Sequence, residues 1–229
     1  MTARPDQNDA GQPRLLFDDG SVLALYKPSG LPTVPYRQGE RQHCLRAWAE
    51  ETLGHRVYVV HRLDRDTSGV LVFAKDARAH RALSLQFERR QTHKRYLAAV
   101  AGHVAEPSGE IDAPLREFGS GRVAVDARGK AAHTRYTRRE RLDGADLLEV
   151  EILTGRRHQI RVHLYHLGHP VLGDPTYGDA RPVGGARRLM LHAARLELAA
   201  LDGDRLVLEV PPPPDFEAEL ARRRPASVG

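Results

Sequence analysis

The chain has 229 residues, 41% of them hydrophobic and 28% charged, with a formal net charge of +5 and a calculated isoelectric point near 9.6. That size and balance provide for one large domain or two small ones with a full hydrophobic core, and they exclude a disordered chain. Cys44 is the only cysteine, which excludes a disulfide framework and a thiolate zinc site, and no apolar run reaches membrane-spanning length.

The first elements follow directly. Residues 1–13 read as a flexible tail without a signal-peptide core. Arg14 to Phe17 and Val22 to Tyr26 flank Asp18-Asp19-Gly20, a hairpin signal with Asp-Gly at its tip, and Lys27-Pro28-Ser29-Gly30 forces a turn. Leu45, Trp48, Ala49 and Thr52 keep helical spacing, with Gly54 placed as a C-cap. Two apolar runs, Val57 to Val60 and Val70 to Ala74, read as buried strands around a charged loop. Asp76 then caps a helix whose inner face carries Ala79, Leu83 and Phe87.

Downstream, strands are expected at Arg95 to Ala101, Ile111 to Ala113, Arg122 to Val125, His133 to Thr137 and Asp146 to Leu153. A helix is expected from His158 to Leu167, where Ile160, Leu164 and Leu167 recur at helical spacing and Gly168 ends the run. Leu189 to Leu198 and Arg205 to Val210 complete the strands, and Pro211 to Pro214 precede a last helix from Asp215. Strands outnumber helices and short turns join many of them, so the expected class is α+β with a mixed, largely antiparallel sheet and flanking helices. Residues 14–222 read as a single catalytic domain and 223–229 as a C-terminal tail.

Three clusters carry the chemistry. His61-Arg62-Leu63-Asp64-Arg65-Asp66-Thr67-Ser68-Gly69 packs charge between two apolar runs. A carboxylate at the mouth of a core feels partial desolvation and nearby guanidinium groups together, so Asp64 is the candidate reactive group. A plain turn, with Asp, Thr and Ser satisfying loose backbone groups, is the alternative for an isolated Asp. Thr154-Gly155-Arg156-Arg157-His158-Gln159-Ile160-Arg161-Val162-His163 turns into a helix expected to present Arg157 and Arg161 one turn apart on one face. Guanidinium groups near a helix start suit a carboxylate or an RNA phosphate. Lys94-Arg95-Tyr96 begins a strand after the basic pair Arg89-Arg90. Tyr96 is either a half-buried core residue or a stacking platform for a base.

Two other patterns compete. Asp64-Arg65-Asp66-Thr67 fits the DxDxT loop of haloacid-dehalogenase-type phosphatases, with Gly173 to Asp179 like their downstream acidic motif, yet that fold needs strand and helix alternating around a parallel sheet. His163, His166 and His169 invite a zinc reading, but no cysteine or suitably placed acid completes a tetrahedral set, so no metal is expected. The base content favours a polyanionic partner. Of the 35 basic residues only Lys27, Lys75, Lys94 and Lys130 are lysine, and arginine suits phosphates and bases, although GC-rich coding also raises arginine.

The 61–69, 94–96 and 154–163 stretches, with Gly168-His-Pro-Val-Leu-Gly-Asp174 and Leu191-His-Ala193, closely resemble in order the motifs of the RluA-type RNA pseudouridine synthases. The resemblance runs from about Leu15 to Pro214. It implies isomerisation of a specific uridine to pseudouridine in ribosomal RNA or tRNA, an RNA stem-loop as partner, and no redox cofactor or ATP. By position, Asp64 matches the family's nucleophile, Arg62 the arginine that enters the RNA stack where the target nucleotide has swung out, Tyr96 the tyrosine that packs on the target base, and Arg161 the arginine that pairs with the carboxylate. Lys94, Arg156 and Arg157 are expected to bind RNA, and Thr67, Ser68 and Gly69 to shape the loop. Many relatives carry an S4-type RNA-binding domain, which is not expected here. A cytoplasmic, monomeric enzyme is expected, with substrate choice in loops such as the one between Val34 and Leu45.

Overall fold

In a computed structural model, residues 11–35, 43–178 and 183–225 are described. The two chain ends, most of the polar loop after Val34, and Asp179 of the phosphatase-like motif lie outside those residues. The elements are β1 (Arg14–Asp18), β2 (Val22–Lys27), α1 (Leu45–Leu53), β3 (Tyr58–Val59), β4 (Ser68–Ala74), α2 (Ala77–Glu88), β5 (His93–Ala101) and β6 (Ser108–Asp112). They continue with β7 (Leu115–Glu117), β8 (Val123–Val125), β9 (His133–Leu142), β10 (Ala145–Ile152), α3 (Gln159–His166), β11 (Leu191–Ala199), β12 (Arg205–Glu209) and α4 (Pro214–Arg223).

Ten strands form one sheet in the order β1-β2-β4-β11-β5-β10-β9-β6, with β3 added to β4 and β12 to β11, while β7 and β8 form a separate hairpin. Within that sheet β4 and β11 run parallel and the other described pairs run antiparallel. This is the expected α+β class, and it lacks the parallel strand-helix alternation that a haloacid-dehalogenase-type phosphatase requires.

The period of two in strands decides which side each residue buries. Leu23 and Leu25 of β2, with Leu71 and Phe73 of β4, join Leu45 and Ala49 of α1, Leu164 of α3 and Phe216 of α4 in one core. Their neighbours Val22, Ala24, Val70 and Val72 face the other way and pack with Ala79 and Leu83 of α2. Both faces are therefore covered, which is why β2 and β4 are buried along their whole length. The helix ends follow their sequence signals. Asp76 accepts the Ala79 N–H at 2.8 Å, a cap worth about 1 kcal/mol, and Gly54 closes α1 in the left-handed region at φ 71°.

Two expectations need correction. The run Val57 to Val60 is not a buried strand: only Tyr58 and Val59 pair, and both are half-buried. The helix after Thr154 begins later than expected, because His158 takes a left-handed conformation at φ 55° and the helical turns start at Gln159. Arg157 therefore precedes the helix and does not share a face with Arg161.

Sheet register positions the site. Lys27 lies opposite Gly69, Gly69 opposite Ala193, Ala193 opposite Tyr96, and Tyr96 opposite Val150, one row across five strands. A Cβ on Gly69 would sit 2.2 Å from the Ala193 carbonyl oxygen, and φ there is +129°, so only glycine lets β4 approach β11. The row places the end of the Asp64 loop one strand, β11, away from the strand that carries Tyr96.

Candidate active site

Asp64 sits in the turn that enters β4, where its carbonyl accepts the Thr67 N–H at 3.2 Å. Beneath it lies a frame built from the turn after β2. Lys27 is fully buried, and its Nζ donates to the carbonyls of Pro28, Leu31 and Arg65 at 2.9, 2.7 and 2.8 Å. Burial pulls the ammonium pKa down to about 7, against the nearby negative charges of Asp66 and Asp64. Three carbonyl acceptors use all three protons of the charged form. Ser29 Oγ donates to the Asp66 carbonyl at 2.8 Å, and Thr33 Oγ1 both donates to the Leu63 carbonyl and accepts the Leu63 N–H. The 61–69 loop is thus bonded to a second segment at Leu63, Arg65 and Asp66.

Ser68 and Thr67 are buried in the loop's far end. Arg188 Nη2 donates to Ser68 Oγ at 2.7 Å, so the serine proton goes to His192 Nδ1 at 2.9 Å, and His192 Nε2 donates to the Val210 carbonyl. His61 closes the other end: its Nε2 accepts the Val72 N–H at 3.1 Å and its ring stacks on Phe87 at 4.5 Å. Burial holds both histidines neutral, with pKa values near 3 for His61 and near 4 for His192.

Arg161 reaches Asp64 from α3. Its Nη1 lies 3.3 Å from Asp64 Oδ2, while its Nε and Nη2 make a two-pronged pair with Asp174 at 2.7 and 2.8 Å. Asp174 Oδ1 also accepts the N–H groups of Thr176 and Tyr177. Burial works against the Arg161 charge, but the Asp174 bonds and the two carboxylate charges outweigh it and raise its pKa. The Tyr177 ring lies under the same guanidinium, 5.0 Å from ring centre to Cζ. Arg161 is the inner wall of the site, with a side chain 4% exposed, and Asp64 at 27% is the group that reaches solvent.

Asp64, Tyr96, Arg62, Lys94, Arg156 and Arg157 all line one cleft of about 900 Å³. Tyr96 is buried in β5 at the cleft wall; burial, helped by the Asp64 charge, raises its phenol pKa and keeps it neutral. Arg62 is exposed and has no partner among the described residues. Lys94 is half-buried, which lowers its pKa, as does Arg90 nearby. Arg156 Nε donates to the Ala131 carbonyl at 3.1 Å, and Arg157 pairs with Glu117 of β7. Arg157 is thus committed to the β7–β8 hairpin, not stacked in register with Arg161.

Gln159 and His163, conspicuous in the sequence, serve the scaffold. Gln159 bonds Thr154, the Arg156 N–H, the His133 carbonyl and Thr134, and His163 bonds Thr134 and the Ala113 carbonyl. His169 bonds the Ala101 carbonyl, and no group of three metal-ligating side chains occurs among the described residues. Sequence reading did not single out Lys27, Thr33, Tyr177 or the Asp174 partnership with Arg161. Lys27-Pro28 at the end of an apolar run was the one available signal.

Comparison with known proteins places the chain in a family. The family described as RNA pseudouridylate synthase matches residues 21–166. The dual-specificity RNA pseudouridine synthase RluA of Vibrio vulnificus is 42% identical over 190 residues, covering 80% of this chain and 76% of that protein. The ribosomal large subunit pseudouridine synthase D of Xanthomonas campestris is 37% identical, covering 91% and 72%. Among solved structures, human RNA pseudouridylate synthase domain containing 1 superposes with a TM-score of 0.77 at 27% identity, covering 94% of this chain and 90% of that one.

The chain belongs to the RNA pseudouridine synthase family. It is an isomerase, as the RluA-type motifs implied.

Proposed function

We propose that the enzyme isomerises a specific uridine in ribosomal RNA or in a tRNA stem-loop, with Asp64 as the catalytic carboxylate. The observation that carries this reading is the asymmetry of that carboxylate. Its Oδ2 is held by Arg161, its Oδ1 makes no hydrogen bond among the described residues, and it opens on a cleft with Tyr96 in the wall. The names of the relatives support the substrate class: one is a dual-specificity enzyme, the other acts on the large ribosomal subunit.

The chemistry suits these groups. The N1–C1′ bond of uridine breaks, the base turns, C5 bonds to C1′, and the proton on C5 is lost while N1 gains one. The carboxylate attacks the nucleoside or assists departure of the base, and its pairing with Arg161 orients it. Tyr96 packs on the detached base. A uridine inside a helix is out of reach, so the nucleotide turns out of the stack at a cost of a few kcal/mol, which insertion of Arg62 partly offsets. Lys94, Arg156 and Arg157 contact the RNA backbone, Thr67, Ser68 and Gly69 hold the loop, and residues 14–222 act as one catalytic unit.

Ribosomal RNA and tRNA transcripts labelled with tritium at C5 of uridine test the reading. Each isomerised uridine releases one tritium to water, and the purified protein should release it from a small number of sites. No release from either RNA would overturn the substrate assignment.

A further inference from the structure

His158 stands beside Asp64 without any role assigned by the motifs. Its backbone is in the left-handed region, one of two non-glycine residues placed there among the described residues. For a residue with a Cβ that conformation is strained, and such strain persists where the surroundings enforce it. The effect is to turn the imidazole toward the cleft, with Nε2 3.9 Å from Asp64 Oδ2.

A relay of hydrogen bonds fixes which nitrogen carries the proton. The Val123 N–H donates to Tyr177 Oη at 3.2 Å, and Tyr177 Oη lies 2.8 Å from His158 Nδ1. Among the described residues the phenol proton has no other acceptor, so it goes to Nδ1. A neutral imidazole accepting at Nδ1 carries its own proton on Nε2. Burial lowers the His158 pKa, against the Asp64 charge that favours protonation, in keeping with a neutral ring.

We propose that His158 is a positioning residue: through Nε2–H it is the second donor to Asp64 Oδ2, and with Arg161 it leaves Oδ1 as the reacting oxygen. This rests on the assignment of Asp64 as catalytic carboxylate. The 3.9 Å separation is longer than a hydrogen bond, and catalytic contacts of this kind tighten when the substrate arrives. The β7–β8 hairpin, which supplies Val123, thereby sets the tautomer that faces the carboxylate, linking a surface hairpin to the chemistry.

Two measurements on the full chain test this. In tritium-release kinetics, His158→Phe should lower kcat about ten- to a hundredfold, the loss expected for one hydrogen bond to a charged group. KM and RNA affinity should stay within about twofold, since uniform binding is untouched. His158→Gln, which keeps a donor, should recover part of the loss. Nitrogen-15 NMR of the RNA-free protein should show the His158 proton on Nε2, and in Tyr177→Phe it should no longer be confined there. A wild-type kcat in His158→Phe, an equal loss in His158→Gln, or a wild-type proton on Nδ1 would overturn the proposal. If His158→Phe does not fold, the wild-type and Tyr177→Phe spectra decide. Wild-type protein that releases no tritium would refute the function itself, a result separate from active wild-type enzyme indifferent to His158.

Discussion

Arg62 lines the cleft, Arg161 reaches it through Asp64, and the two are built in opposite ways. Arg161 is buried, bonded twice to Asp174 and once to Asp64, with an aromatic ring beneath it. Arg62 is exposed and has no partner among the described residues. Desolvation is expensive for a cation, so the inner arginine exists only because a fully buried carboxylate matches its fork. Its geometry is settled before RNA arrives. In the proposed reaction the outer arginine keeps its hydration and its freedom until RNA supplies a phosphate or a gap in a base stack. One residue type thus gives a rigid, fully paired side chain in one place and, among the described residues, an exposed, unpaired one in the other.

That contrast breaks most severely at Asp174. Asp174→Ala leaves a buried guanidinium with one of its three hydrogen bonds, and urea unfolding should show a loss of about 3–5 kcal/mol. Asp174→Asn, which keeps the shape, should lose less. A loss below about 1 kcal/mol in the alanine variant would mean that Arg161 is not locked by this pair.

The neutral histidines behind the loop give a pH signature of the rigid side. His61 and His192 have folded pKa values near 3 and 4, below the ordinary 6.5. Between those values and 6.5 the unfolded chain binds more protons, so stability present above pH 6.5 is lost as the pH falls toward 4. Each proton also removes an acceptor, from the Val72 N–H or from Ser68. Urea midpoints should decline steadily from pH 6.5 to 4, and His192→Asn should flatten the decline. A flat profile in the wild type would contradict neutral, bonded histidines.

The adaptable side gives the smallest effect on the fold. Arg62→Ala should change unfolding stability by less than about 0.5 kcal/mol. It should weaken RNA binding and reduce the salt dependence of affinity by about one unit of slope if the guanidinium meets a phosphate. Unchanged RNA affinity and turnover would remove Arg62 from the interface.

Local signals were legible wherever one residue or one period sufficed. The Asp76 cap, the Gly54 terminus and the apolar runs that became β2 and β4 needed no tertiary knowledge. The motifs likewise gathered Asp64, Tyr96 and Arg161 before any geometry. What escaped depends on partners far apart in sequence. Lys27 reads only as the start of a turn until the Arg65 carbonyl, 38 residues away, is seen to accept a hydrogen bond from it. Asp174 resembled part of a phosphatase motif because its fork to Arg161 is a tertiary contact. Arg157 was placed on a helix face because helical spacing assumes regular backbone, and the left-handed His158 interrupts it. A sequence period cannot announce its own interruption by a residue other than glycine or proline.

The central claim is that the Asp64 charge performs the isomerisation. Turnover by tritium release and RNA affinity, measured side by side for Asp64→Asn, test it most directly. The substitution keeps the side-chain shape and removes the charge, so turnover should fall by about 10³-fold or more while affinity stays within about threefold. Turnover in Asp64→Asn comparable to the wild type would contradict the account.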